Sequence, residues 1–448
     1  MNSQSLNPDP LPFDARVSVE IYRPFFLAGI LTVLTAGCLL GAIALMGIAS
    51  RGNYLAPVWT PYIWAHANSQ LYGWVGFFVM GFALQQHSTS VSKVANFHKL
   101  AYLSLGQMGL GIALRFVAEP LATVNPSRWV PLGIIACLFQ LSAILVFHYN
   151  CGVNRYRTGE RLSWPTLFVF GSLFWLTVVA LAEPFVFVMT HQLDEQASIM
   201  FAAKWFTPYR EIQFLGFVAM MIFGVASVKL STCFGFQKPD DRWGITGFCI
   251  WPLGLVLRVF GWLHYFNSSM EPQSSTLYRA SSVMLVLAAV AIVISLGIFR
   301  VSTPYLRSQK FIRIAFAWLL IAGGLMLFEP YRLSLTGWPF SHAYTGAIRH
   351  AVTVGFISQM IIGISLHVVA VMNDLDEAKE PQLWIVFWLL NIGNLIRVIG
   401  EIASDFSLVA FRIMGPSGPI ELTGLVIWAA AIIHPMLARK KRETVLDS

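Results

Sequence analysis

The sequence predicts an all-α polytopic membrane protein of about twelve transmembrane helices, arranged as three pseudo-symmetric four-helix repeats. Three observations lead there. Of 448 residues, 56% are apolar and only 12% are charged, with a mean hydropathy of +0.65. Apolar runs recur from Pro24 almost to the C-terminus, each near the roughly 20 residues that cross a bilayer. Two short motifs return at one fixed spacing. A soluble chain has no way to hide that much apolar surface, so the roughly three soluble domains that length alone suggests are excluded.

Residues 1–20 are polar, with three prolines and no apolar core, which is not the pattern of a cleaved signal peptide. The first apolar run, after Arg23-Pro24, then serves as first span and insertion signal. Reading runs between polar or Pro/Gly-rich breaks places spans at 24–48, 61–84, 98–118, 129–149, 164–190, 208–228, 244–264, 279–299, 311–329, 345–371, 382–402 and 419–437. The chain is thus one membrane domain over 1–448, with repeats over 21–160, 161–305 and 306–440 and a tail at 441–448.

Charge orients the spans. Nineteen of the 30 Lys and Arg fall on the side shared by both termini, among them Arg155, Arg157 and Arg161, then Arg300, Arg307, Lys310 and Arg313, and Arg439 to Arg442. The positive-inside rule puts that side, and both termini, in the cytoplasm, so the chain is expected in the bacterial cytoplasmic membrane. The net charge of +8 reflects this bias and contact with anionic lipid; nucleic acid is not an expected partner. The five cysteines form no CxxC, so neither covalent c-type haem nor a zinc knuckle is suggested, and small packing residues are the simple reading.

The repeat is visible in two motifs. Gly73–Gly81, Gly216–Gly224 and Gly355–Gly363 share a Gly-x7-Gly pattern with starts 143 and 139 residues apart. The following span in each copy carries Gly-x-x-(Leu/Ile)-Arg, at Gly111–Arg115, Gly254–Arg258 and Gly393–Arg397, again 143 and 139 apart. A four-span unit keeps all copies in one orientation. The glycines serve close helix packing or make room for a flat ligand. Arginine inside a span is costly and faces a polar partner or cavity. Glu119 and Glu401 lie one turn beyond Arg115 and Arg397 and suit intrahelical pairs; Trp262 stands at the equivalent place after Arg258, which therefore needs a partner elsewhere. The functional alternative is a set of cations meeting an anionic cofactor.

Ten histidines divide by depth. His66 and His350 begin spans 2 and 10 at similar depth, and Glu211 holds the position in span 6 that matches His350. His66, Asn68, Glu211, His350 and the three arginines thus share one level near the periplasmic face, a concentration that marks a functional site. Imidazoles on facing helices are natural axial ligands for haem iron and also bind copper, and arginine recognises haem propionates. His264 ends span 7 and could join as a further metal ligand beside His66, His350 and Glu211. His342 and His191 fall in predicted loops. His367 lies too far along its helix to share this site; with His148 and His434 it could form a cytoplasmic-side cluster.

At these residues the chain resembles the NnrS family of bacterial membrane proteins, linked to nitric oxide metabolism and containing haem and copper. The similarity lies in Tyr22-Arg-Pro-Phe-Phe-Leu27, in Trp64-Ala-His66-Ala-Asn68 leading to Tyr72-Gly73, and in His350-Ala-Val-Thr-Val-Gly355. Asn68 stands where the family usually has a second histidine, a departure that counts against copper. Span 2 also looks like the second helix of haem-copper oxidase catalytic subunits, whose twelve helices form three groups of four with haem between helices 2 and 10. Their copper histidines are absent here, where Glu211 and the single His264 stand instead.

The resemblance implies a haem-binding protein, with b-type haem on His66 and His350 and propionates on Arg115, Arg258 and Arg397, that handles or protects against nitric oxide. The bilayer, a diatomic gas and an electron donor are the implied partners. Two alternatives stay open: a haem-dependent oxidoreductase reducing nitric oxide or oxygen, and a transporter using the repeat interface.

Overall fold

A long apolar run has one economical form in lipid, the helix, which satisfies every backbone group internally. The computed structural model describes residues 20–52, 58–89, 96–158, 162–191, 194–302 and 305–438, and every regular element among them is helical. Residues 1–19, Arg161 and the basic run Arg439 to Arg442 lie outside the described residues.

The first four-helix unit comprises α1 (Tyr22–Arg51), α2 (Thr60–Asn68 continuing through Ser69–Val75 and Gly76–Thr89), α3 (Phe97–Ala122) and α4 (Pro126–Thr158). The second comprises α5 (Trp164–His191), α6 (Gln196–Cys233), α7 (Asp241–Asn267) and α8 (Thr276–Leu296). The third comprises α9 (Gln309–Thr336), α10 (His342–Met372), α11 (Trp384–Ser404) and α12 (Leu408–Leu437). Eleven of these are long and apolar enough to cross a membrane. The twelfth, α2, has the length but carries His66, Asn68, Gln70 and Gln85 within it, and its polarity is the first sign of a site.

The start of α1 meets the end of α10 through an Arg23 guanidinium that donates to Asn373 Oδ1 at 3.0 Å. The end of α1 packs its Leu45 and Ile48 on Phe411 and Met414 at the start of α12. Both described chain ends therefore share one face, here the terminal face, and the other is the distal face.

Burial separates inner from outer helices. The most apolar stretches of α6 and α10 are 72% and 78% buried, against 33–56% for the other apolar spans, and Leu71 to Phe78 of α2 are buried throughout. These three second helices meet at the core. Trp74 of α2 donates to Ser358 Oγ of α10 at 3.2 Å, and Phe223 of α6 faces Phe356 of α10 at 6.0 Å.

The motif glycines are packing positions. A Cβ at Gly73, Gly216 or Gly355 would lie 2.3 Å from Thr32, 2.9 Å from Trp175 or 2.5 Å from Trp318, so each first glycine admits a side chain from the first helix of its own repeat. Gly111, Gly254 and Gly393 similarly admit Gln140, Leu285 and Glu421 from the fourth helix. Small residues let helices approach where lipid offers no hydrophobic drive. The same inner helices share a wide π turn, at Ser69–Val75, Ile212–Ala219 and Ala351–Ser358, whose starts are again 143 and 139 residues apart. Such turns cluster at functional sites, and here each directly follows the polar level predicted from sequence.

Candidate functional site

The distal ends of the inner helices bring His66 and His350 into one electrostatic neighbourhood with Arg210 and Arg397. Both imidazoles are half-buried. His66 Nδ1 lies 2.8 Å from the Gly37 carbonyl oxygen. That carbonyl is available because α1 has its own π turn at Val33–Gly37, and Gly37, at φ −82° and ψ −109°, leaves the helical conformation. Gly41 makes room for the ring, since a Cβ there would lie 2.6 Å from His66 Cε1. On α10, His350 Nδ1 lies 3.0 Å from the Gly346 carbonyl and 3.0 Å from Glu401 Oε2. A carbonyl or carboxylate only accepts, so each Nδ1 carries a proton, and in the neutral ring each Nε2 keeps its lone pair. Two inner-helix histidines are thereby held in the tautomer that ligates a metal through Nε2.

Cations surround them. Arg397 pairs with Glu401 at 2.9 Å on its own helix, while its Nε and Nη1 are buried with no hydrogen-bond partner among the described residues. Arg210 donates to Gln213 Oε1 at 2.7 Å. Arg349, next to His350, faces Arg210, Glu211 and Glu401. With Glu211, Arg258, Tyr278, Glu329 and Thr345, Arg349 also lines a small cleft.

The other two motif arginines are committed elsewhere. Arg115 Nε pairs with Glu119, its Nη2 lies 3.2 Å from Glu183 Oε1, its Nη1 reaches Cys137 Sγ at 2.8 Å, and the guanidinium covers Phe187 at 4.1 Å. Arg258 finds its partner in Glu211, with further bonds to Ser282 Oγ and Tyr278 Oη at 2.7 Å each. Every guanidinium nitrogen of both arginines has a protein partner. The intrahelical pairs read from spacing are present, and the missing partner of Arg258 comes from the neighbouring inner helix.

The model of the family described as NnrS protein matches residues 20–441. The chain belongs to the NnrS family. A search of the curated proteins finds no match.

In this NnrS chain, Asn68 does not share the direction of His66. It is buried and turned toward α4 and α5, exchanging hydrogen bonds with Gln140 at 2.8 and 3.3 Å and donating to Glu183 Oε1 at 3.3 Å. Glu183 also accepts from Tyr72 at 3.5 Å and from Tyr209, beside its pairing with Arg115. The carboxylate is thus enclosed by donors from α2, α3 and α6, which is what a buried charge requires.

His264 is exposed at the end of α7, and among the described residues no group of three His, Cys, Asp or Glu side chains is placed to hold a metal ion. His191 corrects its predicted loop position: it ends α5, is buried, and bonds the Phe187 carbonyl at 2.8 Å. The start of α10 likewise claims His342, which is exposed. On the terminal side the three histidines expected to cluster make separate contacts: His148 bonds Thr177 at 3.3 Å, His367 bonds Glu377 at 2.7 Å, and His434 enters neither contact.

Sequence reading missed Gly37, Glu183, Arg210 and Arg349. Arg210 and Arg349 were detectable, because they precede Glu211 and His350 by one residue within spans. The Gly37 carbonyl carried no signal, since a backbone group enters the site only where its helix distorts.

Proposed function

We propose that this NnrS-family protein binds b-type haem at the distal face of the bundle, with His66 and His350 as axial ligands, and handles nitric oxide or related nitrogen oxides. One observation carries the reading: both imidazoles have Nδ1 engaged by fixed acceptors, Gly37 and Glu401, and neither Nε2 bonds another of the described residues. That is the pattern of metal-ligating histidine, in which the hydrogen bond on the far ring nitrogen fixes the tautomer and raises ligand basicity.

The surrounding charge suits the group. Arg397 has two buried donors without a partner, and Arg210 and Arg349 add positive charge that two propionates would balance. These three, rather than Arg115 and Arg258, are the propionate partners we assign. Bound haem supplies an iron centre for a diatomic ligand. The protein's part is to hold the imidazoles, exclude bulk water with the inner helices and offset the propionate charge. A copper ion is not assigned.

Arg300, Arg307, Lys310 and Arg313 cluster near the terminal face, which supports a cytoplasmic orientation of that face in the bacterial inner membrane and a periplasmic haem. An electron donor would then act from either side only if the protein turns over its ligand. Assay of haem-loaded protein with an artificial donor separates catalysis from binding.

Wild-type protein expressed with ample haem is expected to show a Soret band, lost in His66→Ala and in His350→Ala. Colourless wild-type protein would refute the proposal.

A further inference from the structure

Matched positions of the three repeats do the same packing work, so each repeat is a control for the others. On α3, α7 and α11 the residue after the motif glycine is Ile112, Leu255 and Asn394. On α2, α6 and α10 the residue midway between the paired glycines is Phe77, Met220 and Gln359. On the fourth helices, Gln140, Leu285 and Glu421 are the groups that a Cβ at Gly111, Gly254 or Gly393 would meet. All nine are buried.

The second repeat fills its three positions with apolar side chains, so packing does not require polarity there. The first uses one polar group, Gln140, and pairs it with Asn68. Only the third repeat is polar at all three. It leaves Glu421 Oε1 and both amide atoms of Asn394 and of Gln359 buried, with no partner among the described residues. A buried polar group without a partner is costly, and an ionisable one inside a membrane bundle marks function.

The group lies deeper than the histidines. Glu421 Cγ would be 2.7 Å from a Cβ at Gly393, and Gly393 precedes Glu401 by eight residues, about 12 Å along α11. Arg397 stands midway between them on that helix, and Glu401 contacts His350 at 3.0 Å. Phe77 and Ile112 line one hollow of the first repeat, and the shared packing sets Gln359 and Asn394 in the corresponding places on α10 and α11.

We propose that α10, α11 and α12 hold an internal proton site, in which Glu421 takes up and releases a proton and Asn394 and Gln359 bind the water that carries it toward the distal face.

The chemistry of the three groups selects this occupant. Each amide offers both donors and an acceptor, so it holds water in either orientation, and a polar pocket with several unmet partners takes water rather than an apolar molecule. Of the three, only the carboxyl changes charge. The titratable groups that face it are Arg397 and Glu401 on α11 and Cys38 on α1. A guanidinium one turn from Gly393 opposes a metal cation and balances the carboxylate left when the proton departs. The step moves one proton from the carboxyl to water, and its return reverses the transfer. The site stands whether or not a cofactor occupies the distal face.

The test uses full-length protein in detergent. Dicyclohexylcarbodiimide, an apolar reagent that adds to protonated carboxyls, is applied between about pH 6 and pH 9, a range in which buried carboxyls can titrate. Mass spectrometry is expected to find Glu421 labelled at the acid end and progressively less so toward the alkaline end. The infrared carbonyl stretch of the protonated carboxyl, assigned by its loss in Glu421→Gln, is expected to shift in deuterated buffer. Asn394→Leu and Gln359→Met, which copy the second repeat, should slow that shift and leave the thermal midpoint at or above that of wild type. A wild-type protein in which Glu421 is not labelled, or whose carboxyl band does not move in deuterated buffer, would overturn the proposal even if the variants do not fold. A lower midpoint in Asn394→Leu would also overturn it, by showing that the amide is a structural hydrogen bonder.

Discussion

At the scale of single residues, the site depends on which atoms are already occupied. Glu401 serves two partners at once, Arg397 on its own helix and His350 Nδ1 across the interface. Outer partners of this kind typically contribute 10- to 100-fold to metal affinity, so Glu401→Gln is expected to weaken haem binding by roughly that factor in a Soret titration. The Arg258–Glu211 pair has a different role. Removing one partner of a buried ion pair leaves an uncompensated charge and costs about 3–5 kcal/mol, whereas replacing both with apolar residues is close to neutral. Arg258→Met alone should lower the thermal midpoint in detergent clearly, and Arg258→Met with Glu211→Leu should recover most of that loss. A double variant no better than the single would show that the pair is not the partner that matters. The i,i+4 spacing made the Arg115 and Arg397 pairs legible in the sequence. It did not reveal Glu183, because that carboxylate reaches Arg115 and Asn68 from a different helix.

At the scale of helices, the repeat is a packing device with local exceptions. The paired glycines seat Thr32, Trp175 and Trp318 in corresponding places, and all three inner helices widen into a π turn just after the site level. Gly41 belongs to no shared motif and has another purpose, to leave space for the His66 ring. Adding a methyl group in a filled space typically costs about 1–3 kcal/mol, and here the most displaceable group is the imidazole 2.6 Å away. Gly41→Ala is expected to reduce or abolish the Soret band while His66 remains in the chain. Gly109→Ala, where an added Cβ meets nothing within 4 Å, should leave the spectrum unchanged. Equal effects of the two substitutions would argue against His66 as a ligand.

For the whole molecule, the two faces carry different chemistry. Acid-sensitive stability belongs to the terminal face, where Glu377 joins the segment after α10 to the start of α9. Burial alone would raise the Glu377 carboxyl, but hydrogen bonds from His367 and Ser308 outweigh it and hold the group below its ordinary value. A depressed carboxylate contributes stability above its unfolded value, near 4.3, and loses it as pH falls through the folded value. Wild-type protein should therefore be more stable than Glu377→Gln at pH 6, with the gap closing below about pH 4, as read by thermal unfolding in detergent. Orientation is testable at the same scale. A reporter fused after Leu437 should be active in the cytoplasm and one inserted after Gly337 in the periplasm; the reverse pattern would move the proposed haem to the cytoplasmic side.

What the sequence determined by itself was the all-helical membrane class, the twelve spans, the repeat and the level at which His66, His350, Glu211 and the arginines stand. These follow from properties read along one chain: run length set by bilayer thickness, motif spacing, and helical rise. Tertiary structure alone decided direction. It turned His66 toward Gly37 and Asn68 toward Glu183, paired Arg258 with Glu211, left Arg397 with unfilled donors, drew in Arg210 and Arg349, and carried His264 to the surface. Depth in a membrane is a linear coordinate that the sequence encodes. Which of several neighbouring helices a side chain faces depends on rotation and on local π turns, and those are set by packing between segments tens to more than a hundred residues apart.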